Sequence, residues 1–124
     1  MKSARSYSRY GLFAVIFSVL LLAPRLAFAH AVLIASTPAA HASVKGPEIA
    51  IHLKFNSRID GTHSRLYLVS PDGKVQTLSL LPQESPDALD AQNIKISAGQ
   101  YAIRWQALAA DGHITRGEIP FTVQ

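Results

Sequence analysis

Residues 48–55 read EIAIHLKF, with a large apolar side chain at every second position. This period of two is typical of a β-strand that has one buried and one solvent-exposed face. The same alternation recurs in YAIRWQ (101–106) and in residues 117–124, where Ile119, Phe121 and Val123 share a face. These three stretches predict a protein built from β-strands.

Four further stretches complete the set of predicted strands: 31–36, 64–70, 74–80 and 92–97. The second and third of these flank Pro71-Asp72-Gly73, a turn in which Pro fixes φ and Gly accepts a positive φ. Residues 81–91 are predicted to be the longest loop, with at most one helical turn. Seven short strands predict an all-β fold, a seven-stranded β-sandwich of the Ig-like or cupredoxin-like kind or a Greek-key barrel.

The front of the chain differs from the rest in composition. Residues 1–10 carry three positive charges, residues 11–23 form an apolar run of 13, and Ala27-Phe28-Ala29 follows as a small-x-small site. This is the layout of a secretory signal peptide, and the apolar run is shorter than the ~20 residues of a membrane-spanning helix. We therefore predict a signal helix over 1–29 that is cleaved.

Cleavage after Ala29 leaves one β domain, residues 30–124, as an exported protein with no stable membrane anchor. His30 is then the first residue of the mature chain. A rival small-x-small site, Ala29-His30-Ala31, would instead remove His30.

The net charge of +4 belongs to the front segment. Four of the twelve Lys and Arg residues lie in the first 25 positions, where there is no acid. The eight that remain balance all eight Asp and Glu residues and are scattered along the domain. Because nucleic-acid binders concentrate positive charge on one surface, we predict no nucleic-acid partner.

The chain has no Cys, and its only Met is Met1. This excludes disulfides, thiolate nucleophiles and thiolate metal sites, including a blue-copper centre. The histidines are the remaining candidates for metal chemistry, and all five follow residue 29. His52 lies on the predicted outward face of its strand, His41 in a loop and His63 after a turn, so we interpret these three as solvent-exposed.

His30 differs because cleavage would give it a free α-amine. The amine and the ring Nδ1 can then close a six-membered chelate ring on one metal ion. The amine has a reference pKa of about 7.7–8.0, so it can lose its proton near neutral pH when a metal competes. Without cleavage the amine is part of an amide, and the chelate is lost.

Asp111-Gly112-His113 is the second candidate, at a turn between two predicted strands. Gly112 lets the turn tighten, so that an Asp and a His two residues apart can face one centre. With His30 the donor set becomes one amine, two imidazoles and one carboxylate. Nitrogen-rich ligands with one oxygen favour Cu(II), and no soft ligand is present to favour Cu(I).

Both ends of the domain resemble a known family. HAVLIASTPAAHASV (30–44) resembles the opening of the periplasmic copper-resistance protein CopC family, and QYAIRWQALAADGHITRGEIPFTV (100–123) resembles its closing block. The resemblance implies a periplasmic β-sandwich or barrel that binds Cu(II) through His30, Asp111 and His113.

Three departures from the family pattern bear on the site. Some members carry a further carboxylate where this chain reads Phe55-Asn56-Ser57-Arg58, which has no acid. Others bind Cu(I) in a Met-rich loop, and the mature chain has no Met. His41 stands where a small residue is usual, either as an accessory ligand or, as we favour, facing solvent.

The leading hypothesis is a non-enzymatic Cu(II)-binding protein of copper homeostasis and resistance, which sequesters or transfers copper. An inner-membrane copper transporter is a candidate partner. One alternative is a copper-dependent oxidative enzyme, because an N-terminal His with a second His also forms a histidine brace; Asp111 and the predicted burial of most aromatic residues weigh against it. The other alternative is a metal-free Ig-like interaction module.

Overall fold

The computed structural model describes residues 30–124, so the predicted signal helix and its cleavage site lie outside the described residues. The described part contains eight strands and no helix that could span a membrane. The strands are β1 (Leu33–Thr37), β2 (Ser43–Val44), β3 (Glu48–Phe55), β4 (Ile59–Val69), β5 (Val75–Leu78), β6 (Ala88–Lys95), β7 (Gly99–Ala109) and β8 (Ile114–Val123).

The strands form two sheets. One has the order β1-β3-β6 and the other the order β2-β8-β7-β4-β5. All neighbours are antiparallel except β2 and β8, which are parallel. The predicted all-β sandwich is thereby confirmed, with eight strands in the described region instead of seven.

The core lies between the two sheets and follows the alternation read from the sequence. Leu53 and Phe55 of β3 face Leu66 and Ile103 of the larger sheet, and each of these side chains is completely buried. Burial of one such side chain stabilises the fold by about 1.5–3 kcal/mol. The Phe55 ring meets the Trp105 ring edge to face, with centroids 5.2 Å apart.

Besides the start of β4, which lies close to His63, two elements depart from the sequence prediction. β6 begins at Ala88, so the last part of the predicted loop over 81–91 is strand. Its apolar alternation is broken because Ala88 and its neighbour Leu89 are both buried. β2 was not predicted, because two residues paired with the end of β8 are too few to show a period.

The hairpin of β7 and β8 positions the candidate site. The two strands pair without interruption from Gly99 opposite Val123 to Leu108 opposite Ile114. The turn that joins them therefore carries Asp111 and His113 to one end of the sandwich. The chain segment before β1 reaches the same end, and His30 stands at its tip.

Candidate metal centre

A tight turn presents Asp111 and His113 on the same side. The Ala109 N–H donates to the His113 carbonyl at 2.9 Å, and the Gly112 N–H donates to the Ala109 carbonyl at 3.0 Å. Gly112 has φ of 84°, a left-handed conformation that glycine adopts without the clash of a Cβ atom. The glycine inferred to tighten this turn therefore does so through its backbone conformation.

The Asp111 carboxylate holds the His113 ring in place. One of its oxygens, Oδ1, accepts a hydrogen bond from the His113 backbone N–H at 3.0 Å. The other, Oδ2, lies 2.8 Å from His113 Nδ1. The backbone hydrogen bond and then the side-chain contact with His113 lower the pKa of Asp111, so this carboxyl is ionised at neutral pH.

His30 joins this pair from the other end of the domain sequence. Its Nδ1 lies 3.5 Å from Asp111 Oδ2, the oxygen that also faces His113. The two imidazole rings meet edge to face, with centroids 4.7 Å apart and planes at 83°. One ligand atom from each of the three residues lies within 4.8 Å of the other two, which is close enough for all three to hold one metal ion.

The site is open to solvent. The side chains of His30 and His113 are 49% and 66% exposed, whereas that of Asp111 is 19% exposed. Asp111 therefore forms the base of the cluster, and the two imidazoles form its rim. An ion held here could be exchanged without opening the fold.

The segment that carries His30 is fixed just behind it. Ala31 is 2% exposed and belongs to the hydrophobic core. Its carbonyl accepts a hydrogen bond from the Thr115 hydroxyl at 3.0 Å. The Val32 N–H donates to Asn56 Oδ1 at 2.8 Å, and the Asn56 N–H donates to the Val32 carbonyl at 2.9 Å.

Asn56 and Thr115 belong to the site, although the sequence does not predict either of them. An Asn after a strand and a Thr within one are ordinary residues, so neither type marks a site. Only the tertiary structure shows that both bind the backbone next to His30. Residues 55–58 contain no acid, and no sequence pattern marks a structural role for Asn56 there.

The other three histidines are exposed, as predicted, and do not join the cluster. His52 Nδ1 lies 2.6 Å from Asp90 Oδ1 on the outer face of the smaller sheet. His63 Nδ1 lies 2.8 Å from Asp60 Oδ2. The prediction of a turn before His63 is wrong, because it lies inside β4 at an irregularity in the pairing with β7.

His41 lies far from the cluster along the larger sheet. Its backbone N–H donates to the Pro120 carbonyl at 2.7 Å. Pro120 is seven residues from His113 along β8, which corresponds to about 23 Å at the rise of a strand. This separation supports the solvent-facing interpretation of His41 over an accessory ligand.

Comparisons with known proteins agree with the fold. The model of the CopC domain family matches residues 33–124. The protein YobA of Escherichia coli K12 is 30% identical over 129 aligned residues, which cover all of both chains. The copper transport protein CutJ of Bacillus subtilis strain 168 is 26% identical over 119 residues, which cover 94% of this chain. The chain spans only 22% of the length of CutJ.

A solved structure shows the same architecture. The crystal structure of PcoC, a methionine-rich copper resistance protein from Escherichia coli, superposes with a TM-score of 0.64 at 26% identity. The match covers 77% of this chain and 100% of that one. With the family model covering nearly all of the described domain, this chain belongs to the CopC domain family.

Proposed function

We propose that this protein is a periplasmic Cu(II)-binding protein of copper homeostasis and resistance, with His30, Asp111 and His113 as ligands. The observation that carries the proposal is the meeting of these three side chains, with ligand atoms within 4.8 Å of one another. His30 and His113 are separated by most of the domain sequence. Their approach is therefore a property of the fold and not of a local motif.

The donor set matches Cu(II). Two imidazoles, one carboxylate and the α-amine of a mature His30 would supply three nitrogens and one oxygen, a set that suits Cu(II) in a tetragonal arrangement. Residues 30–124 contain neither Cys nor Met. PcoC is described as methionine-rich, and this chain lacks that type of ligand, so we propose a Cu(II) site without a second, Met-based Cu(I) site.

The proposal requires that the mature chain begin at His30. Cleavage at the rival site, after Ala31, would remove His30 together with a core residue that is 2% exposed. It would also delete the carbonyl that accepts the Thr115 hydrogen bond. These contacts favour cleavage after Ala29. N-terminal sequencing of the exported protein tests this directly, with His30 expected first and Val32 first contradicting it.

The open rim of the site supports sequestration or transfer of the ion. The side chains of His30 and His113 are 49% and 66% exposed. Ligands of a partner protein can therefore reach an ion held between them. CutJ is named a copper transport protein, and a region similar to this chain makes up about a fifth of it. We therefore propose an inner-membrane copper transporter as the delivery partner.

A non-enzymatic role is favoured over a histidine-brace oxidase. The Asp111 carboxylate faces both imidazoles, so it would occupy a coordination position that such an enzyme needs for its reaction. Phe55, Tyr101, Trp105 and Phe121 are buried. These four aromatic rings are therefore not available as a platform for a polysaccharide. Absence of turnover by the copper form with peroxide and a polysaccharide is the expected result.

Cu(II) titration of the domain that begins at His30 tests the proposed site. We expect one tightly bound equivalent, with an electron paramagnetic resonance spectrum that shows coupling to nitrogen. His52→Gln is a suitable control variant, because His52 also faces an Asp but lies outside the cluster. Binding that survives loss of His113 but not of His52 would refute the assignment.

A further inference from the structure

We infer that Asn56 and Thr115 are positioning residues that hold His30 in its metal-binding place before any metal arrives. The inference rests on the proposed function of the cluster of His30, Asp111 and His113. It concerns the two residues that join the start of the domain to the rest of the fold. Neither residue contributes a ligand.

Thr115 links the two halves of the site. It lies on β8, two residues after His113, and its hydroxyl donates to the Ala31 carbonyl at 3.0 Å. Ala31 is the neighbour of His30. This hydrogen bond thus joins the strand that carries His113 to the backbone next to His30.

Asn56 fixes the next residue along. It follows β3, where its side chain accepts from the Val32 N–H and its backbone N–H donates to the Val32 carbonyl, at 2.8 and 2.9 Å. Leu33 is already paired with Phe55 in the sheet. Asn56 therefore extends the anchoring of this segment by one residue towards the site.

Burial of Ala31 completes the anchor. Ala31 is 2% exposed and packs in the hydrophobic core, so the backbone beside His30 cannot move away without opening that contact. Within the described residues, His30 alone extends beyond the anchored segment, with a side chain about half exposed.

Chain ends are usually poorly ordered, and ordering them costs conformational entropy. At a metal site on a disordered chain end, this entropy would be lost when the ion binds, which would weaken binding. Here residues 31 and 32 are held by the core, Thr115 and Asn56, and none of these contacts involves an ion. The cost of ordering these two residues therefore falls on folding of the domain and not on metal binding. Preorganised ligands bind more tightly for this reason.

The test replaces the Thr115 hydroxyl without changing its shape. In the domain that begins at His30, we expect Thr115→Val to weaken Cu(II) binding by about tenfold, within the range for residues that support metal ligands. Thr115→Ser keeps the hydroxyl and should bind as the wild type does. Thr122→Val is the matched control, because Thr122 lies on the same strand and its hydroxyl bonds only to Gln100.

A second variant and a metal-free measurement separate positioning from general damage. Asn56→Ala should also weaken Cu(II) binding. In the metal-free protein, both Thr115→Val and Asn56→Ala should speed hydrogen exchange at the Val32 amide while the Leu66 amide, in the core strand β4, stays protected. Equal loss of protection at both amides would show general destabilisation and overturn the inference.

Other outcomes are equally decisive. Wild-type affinity in Thr115→Val, or equal weakening in Thr115→Ser, would overturn the positioning role alone. A wild-type domain that binds no Cu(II) would instead overturn the proposed function, and with it the inference. The two failures are therefore distinguishable in one set of titrations.

Discussion

The turn at Asp111–His113 and the start of β4 at Asp60–His63 hold a carboxylate against an imidazole in nearly the same way. In each, one carboxylate oxygen accepts from the backbone N–H of the histidine, at 3.0 and 3.2 Å. The other oxygen lies 2.8 Å from the ring Nδ1 in both. In each, a glycine follows the aspartate.

The two motifs differ in what the fold brings to them. His30 lies 3.5 Å from Asp111, whereas no third His, Asp or Glu joins Asp60 and His63 among the described residues. The Asp111 side chain is 19% exposed and that of Asp60 is 42% exposed. Both of these His–Asp pairs are local features, and a distant chain segment turns only one of the two into a candidate metal site.

Replacing the histidine of each motif should give the largest difference in Cu(II) affinity between the two motifs. We expect His113→Gln to weaken Cu(II) binding by more than about 100-fold, beyond the usual effect of losing a residue behind a ligand. His63→Gln should leave the affinity unchanged. Competition titration measures both variants. Equal losses of affinity in the two variants would mean that the approach of His30 does not define the site.

Acid should release the ion from the site. Cu(II) and protons compete for the same nitrogen atoms of the amine and the imidazoles, so Cu(II) affinity rises with pH. The pKa of Asp111 is lowered by the hydrogen bond from the His113 backbone, so this carboxyl does not drive the change. Titration at pH 8 and pH 5 should show at least about a tenfold loss, and a flat response would count against these ligands.

The glycines of the two motifs should respond differently to a methyl group. Gly112 has φ of 84° with open space around it, so Gly112→Ala should lower the free energy of unfolding by about 1–2 kcal/mol through backbone strain. Gly73 also has φ of 84° in open space, so Gly73→Ala is the matched control and should have a similar cost. Urea denaturation measures both, and a neutral Gly112→Ala beside a costly Gly73→Ala would contradict the observed turn.

Gly61→Ala should act through a contact and not through strain. A Cβ atom there would lie 2.6 Å from the Gln83 side chain, which bonds the Gly61 N–H at 3.1 Å. The Gln83 side-chain amide also donates to the Ile59 and Ala88 carbonyls, so moving this side chain aside would break up to three hydrogen bonds. We therefore expect a cost of about 1–2 kcal/mol. The variant Gln83→Ala should remove most of this difference, and additive effects of the two changes would contradict the contact.

In the metal-free protein, the two aspartates should contribute similarly to the pH dependence of stability. The pKa of Asp60 is lowered chiefly by its side-chain contact with His63 and that of Asp111 chiefly by the His113 backbone N–H. A carboxyl with a lowered pKa contributes stability above its unfolded pKa, and that stability is lost as the pH falls through the folded value. Asp60→Asn and Asp111→Asn should each slightly reduce the loss of stability below about pH 4. A large difference in stability between the two variants without copper would mean that the motifs differ for a reason other than the approach of His30.

Most of the fold could be predicted because its strands carry a clear period. The bounds of β3 agree residue for residue with the stretch EIAIHLKF. The start of β4 at Ile59 was missed, since Asp60 and Gly61 favour a turn and the pairing there is irregular. Periodicity describes regular strands well, and it does not describe bulges or very short strands.

Less of the site could be predicted from local pattern. Asp111-Gly112-His113 is visible as a turn motif, but Asp60-Gly61-Thr62-His63 looks just as suitable. What separates them is the approach of His30, which depends on burial of Ala31 and on the Thr115 hydrogen bond. Such long-range contacts leave no period in the sequence, so the ligand set came from the family resemblance together with the chemistry of an N-terminal histidine.

We propose that a mature His30 completes a Cu(II) site at the Asp111–His113 pair and leaves the similar Asp60–His63 pair without metal. The most direct test compares Cu(II) affinity of the domain that begins at His30 with that of the same domain preceded by one extra alanine. The extra residue turns the His30 amine into an amide and should weaken binding by about 100-fold. Equal affinity of the two proteins would contradict the claim.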